Sequence, residues 1–366
     1  MRQISFVILS ILCSCSTTPD KNLGYVDYDW TALEERVINP IKMEIDSLID
    51  YNMGFKKIGN KILADCPNCM VLYEVKGNEL RYKNLFIKKG EGPFEVLSNV
   101  SVDRMNDGRF VATENIGSKK VFVSQSGDEG ELEDISKWRP IIRQDKNTKY
   151  FFQTLLPIND SLFLGSALGD CSSKFVVNHL NTGESDPLNY SYPEVLDNLS
   201  DFEKAFAYDG YMHKKPDDSK YVYFTQTGLY SFIFDFMDGK LENFEYVFNQ
   251  PVAYQPNSKG NRPRIVDPKS IYTTDCYVTK NYIYYSNMRA TVEDVFKLET
   301  KFEGYSYGYT REIISFDWNG KPYKKFILDR PVRAFFVEED DSMIYGVAMD
   351  TPDSDEEYVV GYNLNI

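Results

Sequence analysis

The chain predicts an all-β fold, a six-bladed β-propeller closed by its N-terminal strand, and three observations carry that prediction. Aromatic residues make up 15% of the sequence, with 27 Tyr and 24 Phe, and such side chains pack well on a pleated surface. A polar turn followed at once by a short aromatic or β-branched strand occurs six times, at spacings of 47 to 63 residues. An alternating segment near the amino end has no hairpin partner, while the last repeat is one strand short. Pairing that gap with that filler removes two unpaired edges.

The turns and their strands run in order: Asn60 before KILADC, Asp107 before GRFVATE, Asp160 before SLFLGSA, Asp218 before SKYVYFT, Asn281 before YIYYSN and Asp341 before SMIYGVA. A second strand class follows each, starting at Val71, Val121, Phe175, Tyr230, Ile313 and Val359. Five of these lead into a glycine, at Gly77, Gly127, Gly183, Gly239 and Gly320, where positive φ suits a tight hairpin. Each unit therefore reads as the four-stranded sheet of a propeller blade. The outer strands at Glu131 to Ile135 and Asp186 to Ser191 are weak in pattern. Ile41 to Ile49 (IKMEIDSLI) is the orphan strand expected to complete the last blade.

The amino end says where the protein works. Met1-Arg2-Gln3 is a short cationic start, Ile4 to Leu12 is apolar, and Leu12-Cys13-Ser14-Cys15 follows, the layout of a secretory signal. The last four residues resemble the lipobox of bacterial lipoproteins, which implies that Cys15 is acylated after cleavage. The expected division is a signal peptide over 1–15, a tether and lead-in over 16–36, and one propeller over 37–366. No later segment approaches the ~20 apolar residues of a spanning helix. The expected location is the cell envelope, lipid-anchored, at the outer membrane. A formal net charge of −14 argues against nucleic acid as a partner, since that interaction needs cations against phosphates.

Gly90-Glu91-Gly92-Pro93-Phe94-Glu95 and the stretch from Phe316 to Val347 resemble the six-bladed, TolB-like propeller lipoproteins of Bacteroides-type bacteria. The family's turn usually reads GxGPGE, and Phe94 stands here in place of its last glycine. The resemblance implies the fold and leaves the activity open.

Connections in a propeller alternate between the two faces of the disc, and the longest ones here fall together on one face. Function usually resides on loops held by a rigid scaffold, so that face is the expected binding surface. The fifth blade carries an insertion at Met288 to Thr310, ending in Gly304-Tyr305-Ser306-Tyr307-Gly308-Tyr309. Tyr305 and Tyr307 offer flat amphipathic contacts to a sugar or a protein. Arg262 and Arg264, on a neighbouring connection, could clamp a carboxylate. Glu91 and Phe94 complete the candidate ligand contacts.

Catalytic chemistry finds less support. Cys66-Pro67-Asn68-Cys69 is followed by a strand pattern, not by the helix N-terminus that activates a redox thiol; a local disulfide and two free thiols both stay open. The two histidines, His179 and His213, fall near hairpin turns, so no Ser-His-Asp relay or His-rich zinc site is expected. Abundant carboxylates leave a Ca2+ site with oxygen ligands open, the densest cluster being Asp350 to Glu357. The expected function is a non-enzymatic binding scaffold for a glycan, a peptide or an envelope protein. The alternative is a metal-assisted hydrolase or lactonase with a carboxylate-bound cation at the mouth of the central channel.

Overall fold

The structure, a computed structural model, describes residues 33, 35–38, 40–45, 54–66, 69–114, 119–143, 150–216, 220–257, 262–266, 275–287, 309–351 and 357–364. Blade 1 is built from Gly54–Ile58, Lys61–Cys66, Cys69–Lys76 and Glu79–Lys89. Blade 2 has Val100–Arg104, Phe110–Glu114, Lys120–Val123 and Arg139–Ile142, and blade 3 has Tyr150–Pro157, Leu162–Gly169, Phe175–His179 and Ser185–Pro187. Blade 4 comprises Gly210–Lys214, Lys220–Thr225, Leu229–Met237 and Lys240–Gln250. Blade 5 starts with Cys276–Val278, Tyr282–Asn287 and Thr310–Asp317. One long strand, Pro322–Val337, then serves twice: its first half pairs with Thr310–Asp317 and its second half opens blade 6 against Met343–Met349. Glu357–Asn363 follows as the third strand of that blade.

Six buried apolar clusters hold the disc together, and each lies between two neighbouring blades. Phe110, Phe122 and Trp138 fill the cluster between blades 1 and 2, Val123 and Phe163 that between 2 and 3, and Phe175 and Phe232 that between 3 and 4. Phe248 and Phe316 occupy the next, Tyr284 and Phe335 the fifth, and Tyr73 with Phe336 the sixth, between blades 6 and 1. Strands buried on both faces explain the apolar runs of the repeat, such as FVATE at Phe110–Glu114. Aromatic side chains span the wedge between diverging sheets, which accounts for their abundance.

The orphan segment differs from the expectation. The sequence pattern predicts a nine-residue strand over Ile41 to Ile49, but only Pro40–Lys42 pairs with the last blade, antiparallel to Glu357–Asn363. Glu35–Ile38 runs parallel to the outer strand of blade 5. Glu44–Ile45 runs parallel to the outer strand of blade 1, and residues 46–49 lie outside the described set. The segment is thus a strap laid across three blades. Leu33, Ile38 and Met43 enter three successive inter-blade clusters, and this five-residue spacing matches neither a strand nor a helix period. Arg36 Nη1 donates to the Leu364 carbonyl at 2.7 Å, and Met43 N–H to the Val359 carbonyl at 3.0 Å.

Blade 2 departs from the pattern too. Glu131 to Ile135 is not a strand: Glu129–Glu133 and Ile135–Lys137 form 3-10 turns, and Arg139–Ile142 is the outer strand. Leu132, Ile135 and Trp138 turn into the core, and Trp138 Nε1 donates to the Glu131 carbonyl at 2.9 Å. Gly127 accordingly lacks the positive φ of the other four hairpin glycines; it is small because a Cβ would stand 2.5 Å from the Gly108 carbonyl oxygen. In blade 3 the outer strand is Ser185–Pro187, shorter than Asp186 to Ser191 suggested. The connection after it forms a helix, Asp201–Ala207, started by a capping box between Ser200 and Glu203.

Candidate functional site: the mouth of the central channel

Each blade's first strand ends just before the polar turn of the repeat, and these ends surround a cavity of about 740 Å³. Lys56 to Ile58, Asp103 to Asn106, Leu156 and Pro157, Lys214 to Pro216, Tyr277 to Lys280, and Val337 with Glu339 line it. All six blades contribute. The cavity opens on the face of the tight hairpins, opposite the long connections.

Among the described residues the wall is cationic: Lys56, Lys57, Arg104, Lys214, Lys215 and Lys280 stand against two carboxylates, Asp103 and Glu339. Lys56 reaches Asp103 of the next blade at 3.1 Å, and Lys57 reaches Glu338 of the preceding one at 2.6 Å. Burial works against the Lys56 charge, yet Asp103, Tyr277 and Glu339 outweigh it and raise its pKa above the usual lysine value. The Tyr277 hydroxyl, pushed up by burial, accepts from the Lys57 N–H at 3.3 Å. His213 stacks on Phe224 with centroids 5.7 Å apart. Burial and the Lys56 charge lower its pKa to about 4, so the imidazole is neutral at pH 7.

Residues proposed from sequence are not assembled with this cavity. Arg262 lies over the Phe206 ring at 5.4 Å, on the connection between blades 4 and 5, and Arg264 is exposed beside it in a short pairing with Gln255. Glu91 and Phe94 sit between blades 1 and 2. Phe94 packs against the core of that interface, 6.3 Å from Phe122, while Glu95 accepts the Gly92 N–H at 2.8 Å and Lys120 Nζ donates to the Gly92 carbonyl at 2.6 Å. This turn fastens a connection. A Cβ at Gly90 would stand 2.1 Å from the Glu95 carboxylate and would displace it from the Gly92 N–H. Cys15, Tyr305, Tyr307 and most of the insertion from Met288 lie outside the described residues.

The other motifs also find their places. Cys66 and Cys69 face each other as register partners in a hairpin, both as free thiols, with strand on either side. His179 pairs with Asp186 at 2.9 Å on an outer hairpin. For a Ca2+ ion the fit is poor at the mouth, where six cations surround two carboxylates among the described residues. In the acidic loop, Asp350 binds Arg330 at 2.6 Å and Glu357 binds Arg333. Among the described residues no three His, Cys, Asp or Glu side chains gather as a metal would need.

The sequence did contain the signal for the mouth: KKIGN, DRMND, HKKPDD and TKN precede four of the six repeat turns. Basic residues at corresponding positions, spread over more than 200 residues, become neighbours only through the ring.

Similarity to known proteins agrees with this architecture. The family model described as TolB-like 6-blade propeller-like matches residues 42–340. A DUF4221-family protein from Bacteroides vulgatus is 12% identical, with a TM-score of 0.52 over 90% of this chain and 96% of that one. A protein from Bacteroides fragilis, described as a candidate exported protein, is 14% identical, with a TM-score of 0.52 over 91% and 95%. No curated protein sequence matches.

Proposed function

We propose that the chain, which belongs to the TolB-like 6-blade propeller family, is a non-enzymatic binding scaffold of the cell envelope whose ligand sits in the channel mouth. One observation carries the reading: six strand ends from six blades form a single concave wall around about 740 Å³. That volume falls within the roughly 300–1,000 Å³ of small-ligand sites, enough for a saccharide or a peptide end. The wall rests on the inter-blade clusters, so the seat is preformed. Of the long-loop candidates, Arg262 instead lies over Phe206 of the helix between blades 3 and 4, and Phe94 packs into the core between blades 1 and 2. Acyl chains on Cys15 would hold the scaffold at a membrane, the role its lipobox-like context supports. A cation-assisted hydrolase or lactonase fits this mouth less well, because its net positive wall repels a divalent ion.

Glycan and peptide arrays probed with the protein test the reading. Asn106→Trp and Pro216→Trp, which plug the mouth from exposed rim positions, should abolish capture, while Arg262→Ala with Arg264→Ala should leave it near wild type. The reverse pattern would return the ligand to the long-loop face. Cys15→Ser should move the protein from the membrane fraction to the soluble one, and unchanged fractionation would reject the anchor.

A further inference from the structure

We propose that the ligand of the channel mouth carries a phosphate group; this rests on the mouth being the ligand seat. An inversion of charge points that way. The chain carries a formal net charge of −14, yet among the described residues its cavity is lined by six cations and two carboxylates, and with Glu338 on Lys57 the cations still outnumber the carboxylates six to three. A concave wall of low dielectric focuses such a field and raises the local concentration of oppositely charged ligands.

The identity and placement of the cations narrow the chemistry. They come from blades 1, 2, 4 and 5, so they surround the volume instead of lining one side. Five of the six are lysines. A planar carboxylate is best gripped by the two-pronged fork of arginine, whereas lysines are point charges that suit the several oxygens of a phosphate from different directions. Arg104 rests over the Phe110 ring at 5.0 Å and Lys215 over the Trp318 ring at 5.8 Å. An aromatic face helps to orient a cation. Lys280 stands exposed at the rim, where an arriving anion meets it first.

Calorimetry at low ionic strength should compare glucose 6-phosphate with glucose, and co-sedimentation should compare phosphatidylglycerol with phosphatidylcholine vesicles. The phosphate ester is expected to bind where glucose does not, with affinity falling as salt screens the mouth. Lys214→Gln combined with Lys280→Gln should weaken binding by about tenfold, the strength of a single charge-assisted hydrogen bond. Glu339→Gln should tighten it about two- to threefold, a gain that misfolding cannot produce. Binding of the ester alone supports the proposal with a free phosphate compound as ligand, and binding of anionic vesicles that the double variant weakens supports it with a lipid headgroup. Equal binding of glucose and its phosphate, or phosphate binding untouched by the double variant, overturns it. If a neutral array ligand is lost on plugging the mouth while neither phosphate probe binds, the seat stands and the phosphate assignment falls.

Discussion

Asn281 and Asp341, the turn residues that open the hairpins of blades 5 and 6, hydrogen-bond to each other, the Asn281 Nδ2 donating to the Asp341 Oδ2 at 2.8 Å. The same carboxylate accepts from Thr279 Oγ1 at 2.6 Å and from Tyr284 Oη at 2.8 Å. It is almost fully buried, at 2% exposure. The repeat turn therefore does more than reverse the chain: here it bolts one blade to the next. Arg109, two residues after the blade 2 turn at Asp107, likewise bonds to Asp160 of the blade 3 turn.

Asp341→Ala should destabilise the protein by about 3 kcal/mol, because two buried donors, Thr279 and Tyr284, lose a charged acceptor. Its backbone lies at φ 60°, where alanine is also strained. Asp341→Asn keeps an acceptor for Thr279 and Tyr284 and should cost clearly less. Urea unfolding of the three proteins measures the order; an alanine variant as stable as the wild type would remove Asp341 from the account of the interface.

Met43 tests the strap. Its side chain is 3% exposed within the cluster between blades 6 and 1, so Met43→Ala should cost about 2–4 kcal/mol. Val37 of the same strap is 71% exposed, and Val37→Ala should change stability by less than about 0.5 kcal/mol. Thermal melts of both variants would show equal losses if the strap were only loosely applied.

His213 gives the fold a signature on the acid side. Its pKa in the fold, about 4, lies below the ordinary value near 6.5, so between those limits the unfolded chain binds the extra proton and stability falls as pH drops. Asp65 and Asp275, raised by burial to about 6 and about 7, act in the opposite sense over part of that window. The difference between wild type and His213→Gln isolates the histidine: the wild type should lose stability relative to the variant from about pH 6.5 down to about pH 4 and stay level above. Parallel curves would mean that His213 titrates as it does in water.

The blade repeat was legible because its middle strands are buried on both faces, so FVATE and YIYYSN keep their apolar character whatever the rest of the blade does. Outer strands face solvent on one side and obey weaker rules. Glu131 to Ile135 carries only a weak strand pattern, and the burial of Leu132 and Trp138 favours two 3-10 turns there. The helix at Asp201–Ala207 had left its mark in Ser200 and Glu203, a capping pair in an otherwise loop-like stretch. The strap escaped because Ile38 and Met43 answer to different sheets, and no single period describes such a path. Lys56, Arg104, Lys214 and Lys280 escaped for a related reason: each looks like an ordinary solvated charge until the ring gives all of them one centre.

The strap has a mechanical consequence. Tension applied at the amino end would meet hydrogen bonds along the rims of three sheets, two of them parallel to the pulled segment and loaded in shear. A hairpin pulled from its tip unzips one bond at a time, whereas a lapped seam must slip along its whole length. A disc held by this end would keep its shape while swinging, and the rim it hangs from would be the part slowest to fray.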